Sequence, residues 1–228
     1  MIQAMIFDRD NTLLAFDEQA VARLEARVQA HVPELPATAT QDLWESWPGP
    51  WPQQSADEPG FWLAFCDALV ERHGIHADKV PALCDIFDTY HTCFSPFADS
   101  NPCLQALHAA GLRLGVLTNF ELPSIDRTLI YAGIDPQLFE VKISSATLGV
   151  WKPDPRTYQA IAEALGLPPT ACAFIDDDPQ NVAGARAQGM RAFLLDRGRT
   201  QHDFDADILC SLDPLPQLLA APASVGVL

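Results

Sequence analysis

The chain has 228 residues, 48% hydrophobic and 19% charged, enough to bury a sizeable core either as one domain or as a domain carrying an insertion. Its 30 acidic and 14 basic residues give a formal charge of −16, which argues against nucleic acid or an anionic membrane surface as a partner. A phosphate site here would have to build its positive field locally, from metal, lysine and backbone N–H groups.

No apolar run approaches the length of a membrane span, and the start Met-Ile-Gln-Ala-Met-Ile lacks a basic leader region, so a cytoplasmic protein is expected. The six cysteines are scattered, with no C-x-x-C pair and no histidine at zinc spacing, and read as buried free thiols.

In chain order, five of the six residues from Ile2 to Phe7 are apolar or small, which predicts a strand buried on both faces. It runs into Asp8-Arg9-Asp10-Asn11-Thr12. That segment is open to two readings, a polar turn or a pair of carboxylates delivered to a ligand crevice. In the second reading a hard cation such as Mg²⁺ supplies the counter-charge and one carboxylate is free to attack an electrophile. Arg9 should alternate away from both aspartates, toward the back of the crevice.

A helix over 17–31 follows, with Val21, Leu24 and Val28 on one face. The stretch from Trp44 through Pro48, Gly49 and Pro50 to Pro52 predicts an ordered loop with aromatic anchors. Helices are predicted over about 61–73 and 78–94. Residues 17–95 thus form a helical block with no strand in it. Its aromatic set, Trp44, Trp47, Trp51, Phe61, Trp62 and Phe65, reads first as the core of that block and second as a wall facing substrate.

From Pro96 onward helices and strands alternate. A helix begins near Asp99, and a strand over Leu112–Leu117 ends on Thr118-Asn119. A helix over about 122–132 precedes a strand over 139–143. Lys152-Pro153 follows, then a helix over about 156–165. A strand over 171–175 runs into Asp176-Asp177-Asp178, followed by a helix over about 179–188 and a strand over 191–195. Ala183, Gly184, Ala185 and Ala187 predict that the 179–188 helix sits close to its neighbours. A short helix near 214–220 and a loosely held apolar tail complete the chain.

This alternation predicts an α/β fold, a doubly wound parallel sheet with helices on both faces. The absence of a glycine-rich phosphate loop after any strand disfavours dinucleotide and P-loop nucleotide binding. Alone, Thr118-Asn119 fits a plain turn, Lys152-Pro153 a surface loop and Asp176 to Asp178 a helix cap. Together with Asp8 and Asp10 they are four polar sets after four successive strands, all on one edge of a parallel sheet. A hydroxyl, a cation and two groups of carboxylates in one crevice suit phosphoryl transfer to a carboxylate.

In order and spacing, Asp8-Arg-Asp-Asn-Thr12, Thr118-Asn119, Lys152-Pro153 and Phe174-Ile-Asp-Asp-Asp-Pro-Gln-Asn181 resemble the four motifs of the haloacid dehalogenase-like superfamily. The resemblance covers roughly Met1 to Leu195. It implies a Rossmann-like core over 1–16 and 96–228 with a small helical cap inserted over 17–95.

The resemblance further implies an aspartyl-phosphate on Asp8 and proton transfer to and from the leaving oxygen by Asp10. Thr118 and Asn119 would bind substrate, and Lys152 would neutralise charge. Asp8, Asp177 and the Asp10 backbone carbonyl would hold Mg²⁺, with Asp176 in support behind them. Asn181 stands where some members carry another acid and is not expected as a ligand. Dehalogenases of the superfamily lack an acid at the second position because halide leaves without a proton, so Asp10 favours an ester oxygen as leaving group.

The expected activity is Mg²⁺-dependent hydrolysis of a small phosphorylated metabolite. A phosphomutase, a haloacid dehalogenase and a non-catalytic binding module are the rivals. Oligomeric state stays open between monomer and homodimer, since the Trp-rich loop suits an interface as well as a cap core.

Overall fold

The structure is a computed structural model and describes residues 1–219. It is built around β1 (Ala4–Phe7), whose four residues are all buried. β1 pairs in parallel with β4 (Arg113–Thr118) on one side and with β6 (Cys172–Asp176) on the other. With β5 (Phe139–Ser144), β7 (Arg191–Leu195) and β8 (Ile208–Leu209), they form a six-stranded sheet in the order β5-β4-β1-β6-β7-β8. Every pairing within it is parallel. The order reverses beside β1, the topological switch point at which α/β sheets open a crevice beyond the carboxyl ends of their strands.

Side chains of β1 alternate between two apolar layers, as the pleat requires. Ala4 and Ile6 pack with Tyr158 and Ile161 of α8 (Pro155–Ala164) and Val182 and Ala185 of α9 (Pro179–Ala187). Met5 and Phe7 pack with α5 (Ser100–Ala109), α6 (Ile125–Tyr131) and α10 (Leu215–Leu219). All six cysteines are unpaired. Among the described residues no helix is long and apolar enough to cross a membrane. The apolar tail predicted after the last helix lies outside the described residues.

Between β1 and α5 the chain forms α1 (Glu18–His31), α2 (Ala39–Glu45), α3 (Glu58–Arg72) and α4 (Val80–Phe87). No strand of the six-stranded sheet falls in this segment, as expected, but a separate strand pair closes its two ends. β2 (Leu14–Phe16) and β3 (Phe94–Pro96) pair antiparallel as a ribbon that brings the two ends of the helical segment together. α2 and the four-residue α7 (Ser145–Leu148) were also not predicted, and α2 takes Trp44 out of the expected loop.

The helical segment is tied to α6. The buried Glu58 of α3 accepts hydrogen bonds from Ser124 N (2.9 Å) and Ser124 Oγ (2.8 Å), at an α6 N-terminus that has no side-chain cap of its own. Burial raises the Glu58 pKa, against the pull of those two hydrogen bonds and of Arg127. Arg127 pairs with Asp88 at 2.7 Å, and Tyr90 Oη lies 2.7 Å from Ser124 Oγ.

The small-residue face of α9 does allow close approach. A β-carbon at Gly184 would fall 2.8 Å from Tyr158 Oη and 2.9 Å from Pro153 Cβ. Gly→Ala inside a helix ordinarily stabilises by roughly 0.5–1 kcal/mol. Here the sign should reverse: Gly184→Ala is expected to cost about 1–3 kcal/mol of stability through overpacking, read as a lower urea midpoint at unchanged slope.

Candidate active site

β1 ends at Asp8, β6 ends at Asp176, and the loop after α7 carries Lys152 between them. The Lys152 ammonium donates to Asp8 Oδ1 and to Asp176 Oδ2, each at 2.6 Å, with all three side chains buried. Asp176 is held further by Asn181 Nδ2, at 3.2 and 3.1 Å from its two oxygens, and by the Asp178 N–H.

Asn119, expected to bind substrate, is engaged with the lysine loop. Its Oδ1 accepts from the Lys152 N–H and from Ser145 Oγ, both at 2.8 Å, and its Nδ2 donates to the Lys152 carbonyl at 3.0 Å. The amide therefore fixes the backbone that aims the ammonium.

Asp10 reaches the same edge, and its carboxylate is half-turned toward solvent. The expected placement of Arg9 is wrong. Its guanidinium forms a forked pair with Asp10, Nη2 to Oδ1 at 2.7 Å, Nη2 to Oδ2 at 2.9 Å and Nε to Oδ1 at 3.0 Å. The chain does not continue extended past Phe7 but turns back, with the Leu13 and Leu14 N–H groups donating to the Arg9 carbonyl. The Arg9 guanidinium is fully buried, 3.7 Å from the Phe120 ring centroid and 4.5 Å from that of Phe94. Thr118 Oγ1 lies 3.5 Å from Asp10 Oδ2, directed at the same carboxylate.

The carboxylates that converge closely enough to share a cation are Asp8, Asp176 and Asp177, each offering an oxygen within 4.8 Å of the others. Asp8 and Asp177 belong to the expected set, and Asp176, expected in support behind them, stands within the same reach. Three acids beside one ammonium leave two negative charges uncompensated when all are ionised, and three hard oxygen donors suit a divalent ion such as Mg²⁺.

Without such an ion, burial raises the Asp8 pKa to about 8, with Asp176 and Asp10 adding to the rise and Lys152 opposing it. Burial and Asp176 likewise raise Asp177, while its hydrogen bond to Asn11 opposes. Burial alone would discharge Lys152, but the two carboxylates in contact with it overcome that and raise its pKa.

Sequence reasoning missed Arg197. From the loop after β7 its guanidinium donates to the Asn11 and Thr12 carbonyls at 3.2 and 2.7 Å and pairs with Asp99 at 3.0 Å, bracing the turn that follows Asp8. Beside the polar centre, between α1, α3, α4 and the β4–α6 loop, lies an open cavity of about 440 Å³ whose wall includes Asp10 and Asn119.

Three comparisons bear on this geometry. The family model for haloacid dehalogenase-like hydrolases matches residues 2–189. The chain is 35% identical over 214 residues to "Phosphatase MT3486" of Mycobacterium tuberculosis (strain CDC 1551 / Oshkosh), covering 89% of this chain and 91% of that protein. It is 28% identical over 226 residues to "(S)-2-haloacid dehalogenase 1" of Pseudomonas sp. (strain CBS-3), covering 96% of each. The crystal structure of a 2-haloacid dehalogenase from Pseudomonas syringae pv. Tomato DC3000 superposes with a TM-score of 0.72 at 24% identity, covering 96% of this chain and 99% of that one, and so speaks for the fold. With its motifs, its parallel sheet and this match in hand, the chain belongs to the haloacid dehalogenase-like hydrolase family.

Proposed function

We propose that this hydrolase is a Mg²⁺-dependent phosphatase acting on a small phosphomonoester through an aspartyl-phosphate. The observation that carries the reading is the buried Lys152 ammonium at 2.6 Å from both Asp8 and Asp176, with Asp10 at the same sheet edge. An Asp8 oxygen attacks phosphorus and the bond to the leaving oxygen breaks, Asp10 supplying the proton that oxygen needs. Asp10 then takes a proton from the water that opens the acyl phosphate. Lys152 balances charge on Asp8 and on the transferring group, and Thr118 offers its hydroxyl to a phosphoryl oxygen. Asn119, Asn181 and Arg9 hold these groups in place.

Asp8, Asp177 and Asp176, with the Asp10 carbonyl, would hold the metal, which supplies charge neutralisation at the phosphoryl oxygens when bound. In this reading residues 1–16 and 96–228 form the core, and residues 17–95 are a cap that limits water at the reacting atoms. The net charge of −16 argues against nucleic acid as a partner, and the substrate in this reading is a small cytoplasmic phosphoester.

The relatives named as dehalogenases favour a second reading, carbon–halogen cleavage by the same Asp8. Asp10 separates the two, because a halide needs no proton and an alkoxide does.

Asp8→Asn is expected to reduce hydrolysis of para-nitrophenyl phosphate to background, and chloride release from chloropropionate by the native enzyme would transfer the case to the second reading. Asp10→Asn should lower kcat by about 10²- to 10⁴-fold for alkyl phosphates. The loss should be smaller for para-nitrophenyl phosphate, whose phenolate leaves unprotonated; equal losses would remove Asp10 as the acid.

The raised Asp8 pKa makes a pH prediction. Across the window from its ordinary 3.8 to about 8, folded metal-free protein keeps a proton that the unfolded chain releases, so stability should fall as pH rises through it. Added Mg²⁺, binding the ionised site, should flatten that slope and raise the urea midpoint at about pH 8 by mass action. Midpoints at about pH 5 and pH 8, in EDTA and in Mg²⁺, measure both effects.

A further inference from the structure

The cavity beside Asp10 is unlike the centre it opens onto. Its wall carries Trp44, Trp62, Phe65, Phe87, Phe94 and Phe120 among its residues, and it holds two carboxylates, Asp10 and Glu121, and no lysine, arginine or histidine. Of the six aromatic residues read from sequence as a core, Trp44, Trp62 and Phe65 are core and wall at once, while Trp47, Trp51 and Phe61 lie away from this cavity. Trp44, Trp62 and Phe65 interlock with ring centroids 5.9–6.0 Å apart while facing the cavity.

Most cations near it are engaged. Arg9 lies between Phe94 and Phe120 with its fork closed on Asp10. Arg127 is paired with Asp88, Arg27 donates to Thr89 and Arg72 donates to Ser46. Arg23, whose charge reaches Cys93, is outside the wall. A carboxylate or second phosphate seated in the cavity would meet two acids and no cation on the wall itself.

Two details say what the cavity does accept. Phe16, on its wall, is 57% exposed, an aromatic side chain left uncovered where the cavity meets solvent. At about 440 Å³ the cavity falls in the range of small-molecule sites.

From this juxtaposition of an aromatic wall and no cation on it, we infer that the ester cleaved here has an uncharged, mainly apolar alcohol or phenol part, seated against that wall. The inference rests on the phosphatase reading for the bond that breaks and on the cavity alone for what is recognised. Phosphorylated hydroxy acids, amino acids and bisphosphates are excluded as good substrates.

The test compares naphthyl phosphate, methoxynaphthyl phosphate, glycerol phosphate and phosphoglycolate with Mg²⁺, and measures calorimetric binding of the free alcohols to the same protein. The naphthyl esters should have kcat/KM at least about tenfold above the other two, mainly through KM, and the naphthols should bind where glycerol and glycolate do not. Phe16→Asp, at an exposed position, should raise KM for the naphthyl esters and leave that for glycerol phosphate in place.

Equal or better turnover of phosphoglycolate, or naphthols that fail to bind, overturns the inference while leaving phosphatase activity standing. Naphthols that bind while no ester is hydrolysed support the cavity assignment and sink the phosphatase reading.

Discussion

The structure depends on one ammonium group shared by two buried carboxylates. Lys152, Asp8 and Asp176 come from a loop and from the ends of two adjacent strands, so their contact fixes the loop after α7 against the carboxyl edge of the sheet. Such an arrangement is a poor way to gain stability, because taking three charges out of water costs several kcal/mol per ion before attraction returns it. Much of the surrounding polar structure serves to hold it. Asn119 clamps the lysine backbone from both sides, Asn181 and the Asp178 N–H hold Asp176, and Arg197 braces the turn after Asp8. The site remains short of positive charge, and that shortfall is the physical basis for reading it as a cation site.

The parts of this arrangement that sequence revealed are those with local signals. Strands buried on both faces leave continuous apolar runs, and four of them stop at polar residues, so the sheet and the residues Asp8, Thr118, Lys152 and Asp176 could be placed on one edge before any coordinates. β2 and β3 have three residues each, too few to show a period, and α2 stands against a proline-rich loop that masks it. Arg9 was misplaced because alternation holds only while the chain stays extended, and here it turns within two residues of the strand. Arg197 lies 185 residues from Thr12, and no sequence pattern links a loop arginine to a backbone carbonyl so far away. The partners of Asn119 were illegible for the same reason.

Asp8 and the acids near it stand at the sheet edge, and a cavity opens beside them. In this chain the surroundings divide cleanly. The polar edge is crowded with acids and tuned by a single lysine, whereas the adjoining cavity is aromatic and lacks basic residues. Asp10 sits on the boundary, its carboxylate gripped by an arginine that is itself enclosed by two phenylalanines. The same fork that orients the Asp10 carboxylate keeps the Arg9 charge from the cavity, so one side chain sets both.

Glu58 has a consequence for motion. α6 borrows a carboxylate from α3 at its N-terminus instead of carrying its own, and the borrowed group sits in a protected spot with Tyr90 alongside. Any swing of the helical segment away from the sheet would strip α6 of that partner, wet a carboxylate that now lies dry, and separate Arg127 from Asp88. Losing a helix-end contact costs on the order of 1 kcal/mol. That cost adds to the Arg127–Asp88 pair in holding the helical segment against α6.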